Sequence, residues 1–295
     1  LTSPDQLHIS YVHTPVRYAW DQMNIYLKRS FLRKIGLGLL IRWQLHNLRQ
    51  WDQLSSLRVD YLIANSNFTA KRIQKYWGRR SEVIHPPVDI NRFTWNKPRE
   101  DFYLSVCRLV PNKRVDLVVR AFNRLKLPLV VVGNGVEKSY LHDIAGPTVQ
   151  ILGFQSKENI EKLMSRCRAF VYAGIEDFGI APVEAMASGA PVIALGKGGV
   201  LDTVKSFNLN SNEEATGLLF PDQTVKSLVE AIEFFKAKQL WRDLNPEVIR
   251  NWSNSFSPDT FKKRFEQTIN RAWREHKNSC DIATSDLSSS SKNPN

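Results

Sequence analysis

Three features predict a two-domain α/β protein with parallel sheets. Short apolar runs recur between residues 102 and 194, segments of helical length and amphipathic pattern separate them, and 295 residues exceed what one small core needs. Alternation of this kind is the signature of βαβ units.

The elements follow in order. Residues 7–12 read as a short strand ending at His13-Thr14-Pro15, and residues 18–53 read as helical. Between Gln22 and Trp51 there is no acidic residue, while Lys28, Arg29, Arg33, Lys34, Arg42 and Arg49 alternate with Phe31, Leu32, Ile35, Leu39, Leu40 and Trp43. Such a helix can meet an anionic membrane surface, or can pack its apolar face inside the first domain and leave its charges in water. The packed arrangement is the first expectation for the apolar face. A strand at 60–64 comes next. Ser66 or Asn67 is placed to cap a helix that runs to Trp77 and stops at Gly78. Val83-Ile84 forms a short strand before His85-Pro86-Pro87.

The second half is more regular. Strands are expected at 102–106, 129–132, 149–152, 169–172, 191–194 and 218–220. Helices are expected near 114–125, 136–144, 156–166, 182–188 and 224–236. The polar, proline-containing stretch 94–100 marks a seam. It divides a domain at 1–97 from one at 98–255, and a C-terminal helix at 256–278 is expected to return to the first domain. Residues 279–295, polar and ending in a serine run, are expected to be disordered. The first 95 residues hold too few strands for a nucleotide-type domain. Residue 1 is leucine, so one or more N-terminal units are expected to be absent from this sequence.

Composition limits the chemistry. Hydrophobic residues make up 42% and mean hydropathy is −0.33, which suits a globular chain with a polar surface. No run approaches the roughly 20 apolar residues of a membrane span. The net charge of +12 favours an anionic partner: a phosphorylated substrate, an acidic membrane or nucleic acid. Cys107, Cys167 and Cys280 form no CxxC pair, and an odd count suits reduced thiols in the cytosol. Cys107 and Cys167 adjoin apolar runs and are expected in the core.

The strongest chemical signal is the segment Glu176-Asp177-Phe178-Gly179-Ile180-Ala181-Pro182-Val183-Glu184. Glu176 follows a strand, Gly179 permits a tight turn, and Pro182 suits a first helical position. That reading puts Glu184 in the first helical turn, where free N–H groups bind phosphate. A carboxylate at a helix start is stabilising in any protein, and Glu176 alone would pass for a solvated loop residue. Together they favour a loop that binds a nucleotide-linked sugar.

Arg108 and Lys113 follow the strand at 102–106. In open α/β sheets that edge is where ligands bind, and both cations can reach a diphosphate. Gly133-Asn134-Gly135 resembles the opening of a dinucleotide fingerprint, but Lys138 occupies the third glycine position, and a tight turn explains the pair equally well. His13 ends a strand, where it can face a substrate or simply complete a loop. No Asp-x-Asp and no zinc-spaced His/Cys cluster occurs, so no metal site is expected.

These motifs, in this order, resemble the retaining glycosyltransferases of family four, the group 1 transferases. The likeness runs from His13–Asp21 through Ile63-Ala64-Asn65-Ser66, Val83–Asp89, Arg108 with Lys113, the two-glutamate segment and Gly198-Gly199-Val200, to about residue 275. It implies two Rossmann-like domains of the GT-B type, here with the N-terminal one incomplete. The family's glycine-rich loop on the first acceptor-domain strand has no counterpart in these residues. The resemblance implies that Arg108 and Lys113 hold the donor diphosphate and Glu184 the ribose. Glu176 would bind the sugar, with the backbone of Phe178, Gly179 and Ile180 beside it. Gly153 and Phe154 would receive the base, and His13 would stand beside the reacting sugar.

Retaining transfer without a metal or other cofactor is implied. The donor is a nucleotide sugar, GDP-mannose favoured and a UDP-sugar admitted, and the acceptor a glycan or lipid-linked glycan. The setting implied is cytoplasmic, with peripheral contact at the inner membrane face. Alternatives are an inactive nucleotide-sugar-binding relative, a nicotinamide oxidoreductase resting on Gly133 and Gly135, and, more distantly, a nucleic-acid-binding protein. No nucleic acid is expected among the partners, since no DNA- or RNA-binding motif accompanies the charge.

Overall fold

The computed structural model describes all residues except 1, 4, 22–37, 209–213 and 291–295, and side chains through residue 278. The chain divides into two compact units, Leu1–His85 with Phe261–Asn295, and Pro86–Thr260.

The first unit opens with β1 (Ile9–Val12). Residues 17–21 form a turn where a helix was expected, and the described helix α1 spans Gly38–Ser56. The remainder of the expected helix, with Lys28, Arg29, Phe31, Leu32, Arg33, Lys34 and Ile35, lies outside the described residues. β2 (Tyr61–Ala64) lies between β1 and β3 (Glu82–Val83) in a three-stranded parallel sheet. Between β2 and β3 runs α2 (Asn67–Trp77). Its start and stop follow from single residues: Ser66 Oγ accepts from the N–H of Thr69, and Gly78, at φ 71°, returns its N–H to the carbonyl of Gln74. Val12, Val59, Leu62, Ala64 and Ile73 form the small core. Asp52, the one acid on α1, is buried and accepts the indole N–H groups of Trp20 and Trp77, each at 2.8 Å.

The second unit begins earlier than the sequence seam. Residues 86–97 belong to it because Val88, Ile90 and Phe93 are buried in its core, and the N–H of Val88 donates to the carbonyl of Phe256 at 2.8 Å. Apolar burial at alternate positions outweighs the polar, proline-bearing composition that follows it. The strands are β4 (Tyr103–Val106), β5 (Leu129–Val132), β6 (Val149–Gly153), β7 (Ala169–Tyr172), β8 (Val192–Leu195) and β9 (Gly217–Phe220). The helices between and after them are α3 (Val115–Leu125), α4 (Lys138–Ile144), α5 (Lys157–Arg166), α6 (Ile180–Ala187), α7 (Val200–Thr203), α8 (Val225–Ala237), α9 (Leu240–Asp243) and α10 (Pro246–Ser253).

All six strands are parallel, in the order β6-β5-β4-β7-β8-β9. Chain order reverses direction between β4 and β7, which is the crevice where ligands enter doubly wound sheets. β7 and β8 are buried along their whole length, as expected for strands covered on both faces.

Helix α11 (Pro258–Ser290) closes the chain. From Phe261 onward it belongs to the first unit, where Phe261 and Phe265 stand edge-on to Tyr11, with ring centroids 5.8 and 6.3 Å away. The return of the C-terminal segment to the first unit therefore follows the sequence expectation, with the helix beginning at Pro258. Its end does not: residues 279–290 continue the helix where disorder was expected. Extending an established helix costs far less than nucleating one, so polar composition alone does not stop it.

Candidate active site

Two loops meet at the crevice, one after β4 and one after β7. The β4 loop passes through a single 3₁₀ turn, Pro111–Lys113, and Arg114 leaves it in the left-handed region at φ 53°. This bend brings Lys113 back toward the neighbouring strand. Its ammonium forms an ion pair with the Glu176 carboxylate and lies 3.4 Å from the Tyr172 hydroxyl. The same hydroxyl donates to Glu176 Oε1 at 2.6 Å. Both charged side chains keep about a fifth of their surface accessible, 18% for Lys113 and 21% for Glu176, so a ligand can reach them.

Glycines hold the loops against one another. A Cβ on Gly199 would meet the carbonyl oxygen of Asp177 at 2.3 Å, and one on Gly198 the carbonyl oxygen of Glu176 at 2.6 Å. Gly199 N–H also donates to that Glu176 carbonyl at 2.8 Å. The Gly198-Gly199 pair is therefore the backing on which the Glu176 loop rests. On the other side, a Cβ on Gly133 would meet the carbonyl oxygen of Cys107 at 1.8 Å, and one on Gly135 that of Leu109 at 2.3 Å. Gly133 and Gly135 are thus required for contact with the β4 loop, and this accounts for the fingerprint-like spacing.

Helix α6 points its start at the crevice. Its N-cap is Gly179, at φ 97°, which has no side chain to satisfy the first N–H groups. Other helices of eight or more residues carry side-chain caps: Ser66 on α2, Ser156 on α5, Thr224 on α8, Asn245 on α10 and Ser257 on α11. Among the described helices of that length whose start can be assessed, only α3 and α6 begin without one. These are the two helices that follow β4 and β7. Their positive ends flank the Lys113–Glu176 pair. Pro182 occupies the third helical position rather than the first, and Glu184 lies beyond the first turn. Every donor in a first turn lacks an intrahelical acceptor, so proline fits there as well.

Arg108 is exposed on the β4 loop, and its guanidinium has no hydrogen-bond or ion-pair partner among the described residues. Phe178 is buried and packs edge-on against Phe256 at 5.6 Å, while Ile180 is half exposed. Gly153 ends β6 at φ 70°, with the Lys138 ammonium 3.1 Å from where its Cβ would lie. Phe154 beside it is 82% exposed, an unusual position for an aromatic ring on an empty loop.

Glu184 is held separately from the Lys113–Glu176 pair. Arg92 donates to Glu184 Oε1 at 3.1 Å and lies 3.4 Å from Glu161, with its guanidinium over the Phe93 ring at 4.6 Å. Burial raises the Glu184 carboxyl above the usual range, Arg92 opposes this, and Glu161 and Asp89 add to the rise. Cys107 and Cys167 are free thiols. Cys167 is in the core as expected, and Cys107 is only partly buried. Burial pushes each thiol up to about 12, so neither is a nucleophile near neutral pH.

His13 follows β1 in the first unit. Its carbonyl accepts from the Asn65 amide at 3.0 Å, and its ring stands edge-on to Tyr11 at 5.3 Å. Arg72, buried, anchors the next residues by donating to Thr14, Pro15 and Asp21. Among the described residues no group of three or more His, Cys, Asp or Glu side chains is arranged to hold a metal, and no helix is long and apolar enough to cross a membrane.

Arg92 and Tyr172 are functional candidates that the sequence reading missed. Tyr172 ends an apolar strand four residues before Glu176, a position where a hydroxyl can face a ligand. Arg92 lies three residues after Asp89, the last residue of the Val83–Asp89 motif, but nothing local pairs it with a residue ninety-two positions away.

Comparison with known proteins agrees with this architecture. Alpha-1,3/1,6-mannosyltransferase ALG2 of Candida glabrata is 27% identical over 292 residues, covering 77% of this chain and 62% of that protein. GDP-mannose-dependent alpha-mannosyltransferase of Mycolicibacterium smegmatis is 31% identical over 189 residues, covering 59% of this chain and 48% of that protein. The chain spans about three fifths of the length of the ALG2 relatives, 62% and 57% for the Candida glabrata and Saccharomyces cerevisiae proteins. Among solved structures, HepE of Anabaena in complex with UDP and glucose superposes with a TM-score of 0.66 at 20% identity, covering 90% of this chain and 72% of that one. Sucrose-phosphate synthase of Thermosynechococcus elongatus gives 0.68 at 20% identity, covering 90% and 68%. These likenesses establish the fold as that of two Rossmann-like α/β units. The family model of the glycosyl transferases group 1 matches residues 88–255, more than half of the chain and nearly all of the second unit. The chain therefore belongs to the glycosyl transferases of group 1.

Proposed function

We propose that this protein transfers a hexose, mannose from GDP-mannose by preference, to a glycan or lipid-linked glycan acceptor with retention at the sugar carbon. The observation that supports the reading is the Lys113–Glu176 pair, on the loops after the adjacent strands β4 and β7, with the uncapped start of α6 four residues after Glu176 and Arg108 exposed on the same loop as Lys113. The named activities of two relatives, one of them GDP-mannose-dependent, support mannose as the sugar. The UDP complex of HepE keeps a UDP-sugar as the alternative donor.

The chemistry follows from the charge distribution. Cleavage of the bond between sugar C1 and the phosphate oxygen leaves its electron pair on the nucleoside diphosphate. Arg108, Lys113 and the N–H groups at Ile180 and Ala181 stabilise that negative charge. The acceptor oxygen bonds to C1 on the face the phosphate leaves, and its proton passes to the departing phosphate oxygen. No protein nucleophile is needed.

Glu176, oriented by Tyr172 and Lys113, accepts hydrogen bonds from the sugar hydroxyls beside Phe178 and Gly179. Glu184 binds the ribose, and Phe154 with Gly153 receives the base. His13 is assigned a role at the reacting sugar. The free thiols Cys107 and Cys167 fit a reducing cytoplasmic compartment.

Calorimetric titration with GDP, UDP and GDP-mannose in the presence of EDTA tests this reading. Binding of a nucleotide without metal, followed by release of GDP when acceptor glycan is added, is the expected result. An absolute requirement for divalent metal, or no nucleotide binding at all, overturns it.

A further inference from the structure

Arg92 is placed by the buried residues around it. Ile90 and Phe93 are fixed in the core of the second unit, and the Arg92 guanidinium lies over the Phe93 ring at 4.6 Å. From there it spans two acids on different helices. Its Nη2 donates to Glu184 Oε1 on α6 at 3.1 Å, and its Nε lies 3.4 Å from Glu161 Oε1 on α5. All three side chains are about three-quarters buried. The other Glu184 oxygen, Oε2, has no hydrogen-bond partner among the described residues.

A carboxylate in this setting does not stay charged unaided. Burial favours its neutral form, Arg92 opposes this, and Glu161 and Asp89 add to the effect of burial. Helix α10 also packs on α6, but its Arg250 is turned to Ser253, Asn254 and Asn91, and its Glu247 is exposed. The ionised form matters because a vicinal diol carries two O–H donors. A carboxylate accepts strongly from both, and a protonated acid does not. The hydrogen bond from Arg92 also restricts the Glu184 side chain before a ligand arrives, which lowers the entropy lost on binding. A guanidinium reaches two acids from separate nitrogens, which the single nitrogen of a lysine does not match.

We infer that Arg92 is a positioning residue of the nucleotide site: bridging Glu161 and Glu184, it holds the Glu184 carboxylate ionised and oriented to accept both hydroxyls of the ribose. The role rests on the assignment of Glu184 to the ribose. Arg92 acts through Glu184 and takes no part in breaking the sugar–phosphate bond.

Calorimetry on the full chain tests this role, with GDP or UDP, whichever the wild-type protein binds more tightly, and with the 2′,3′-dideoxy form of the same nucleotide. The ratio of the two affinities reports the ribose hydroxyls, and the titration of the diphosphate cancels from it. In the wild-type protein the ratio should be about ten or more and constant from about pH 7 to about pH 9. In Arg92→Met it should fall about five-fold or more at about pH 7 and recover as pH rises, because Glu184 then loses its proton only at higher pH. Arg92→Lys keeps the charge but not the fork, so its ratio should lie between the two and stay independent of pH. If Arg92→Met does not melt cooperatively, Arg92→Lys carries the test alone, and an unchanged ratio then overturns the role. No nucleotide binding, or a wild-type ratio near one, overturns the ribose assignment and this role with it. A wild-type ratio of about ten that neither variant changes overturns the role of Arg92 and leaves the ribose assignment standing. A loss in Arg92→Met that is the same at every pH makes Arg92 a structural residue and also overturns the role.

Discussion

Lys113 and Glu176, sixty-three residues apart in sequence, form an ion pair across the loops that follow the two adjacent central strands of the second sheet. Both side chains are about four-fifths buried and keep the remaining fifth open to water. Their pairing sets a cation and a carboxylate at a fixed separation before any ligand arrives, which is preorganisation in the sense that matters for catalysis.

Replacing Lys113 by Met should therefore lower kcat by about 100- to 1,000-fold, the cost of losing one preorganised electrostatic contact. Glu176 keeps its hydrogen bond from Tyr172 and a fifth of its surface in water, so the melting temperature should fall by only a few degrees, on the order of 1 kcal/mol. Steady-state kinetics beside a thermal melt would check both. A large drop in melting temperature with unchanged turnover would make Lys113 a structural residue.

Arg108→Ala offers a cleaner separation. The side chain is exposed and unpartnered, so stability should change by no more than about 0.5 kcal/mol. Affinity for GDP should fall about ten-fold or more through loss of a charge-assisted contact. Calorimetry that finds undiminished GDP affinity would remove Arg108 from the diphosphate site.

Gly199→Ala tests the backing of the Glu176 loop. The added Cβ would meet the Asp177 carbonyl oxygen at 2.3 Å, so the two loops must separate. A loss of about 1–3 kcal/mol, typical of overpacking, is expected in denaturant titrations, together with weakened binding of GDP-mannose relative to GDP. An unchanged midpoint would show that the loops yield more easily than their contact suggests.

Glu184 gives a pH signature. Burial raises its carboxyl in the folded protein, so the folded state holds its proton more tightly than the unfolded state. Stability from this group is complete below the unfolded value of about 4.3 and is lost as pH rises through the raised folded value. Glu184→Gln should flatten that part of the stability-versus-pH curve. Chemical denaturation at a series of pH values checks it, and parallel curves for the two proteins would reject the assignment.

The alternation of strand and helix in the second unit was legible because each element carries its own local signal. Ser66, Gly78 and Ser156 mark helix ends through chemistry confined to a few neighbours. The 86–97 segment was misassigned because its polar residues are local and its burial is not. Val88, Ile90 and Phe93 enter a core assembled from strands far along the chain. Gly133 and Gly135 read ambiguously for a physical reason: closeness to a pyrophosphate and closeness to another loop impose the same demand for a missing Cβ. The Arg92–Glu184 pair left no trace in the sequence, since a partner across such a span is set by topology alone. On α1 the apolar face was expected to pack inside the first domain, yet Leu39, Leu40, Trp43, Trp51 and Leu54 stand exposed; the residues that face inward include Asp52, whose partners Trp20 and Trp77 are set by topology.

The two units differ in how the chain supplies them. The second is one continuous stretch, Pro86–Thr260, whereas the first is assembled from two stretches that flank it. Tyr11 leaves the ribosome before the second unit does, yet its ring partners Phe261 and Phe265 arrive only after that whole unit has been made. Domains complete themselves as synthesis proceeds, so the order of birth here is inverted: the unit begun first is finished last, and cutting the chain after Thr260 would spare the later-born unit while leaving Tyr11 without its aromatic neighbours.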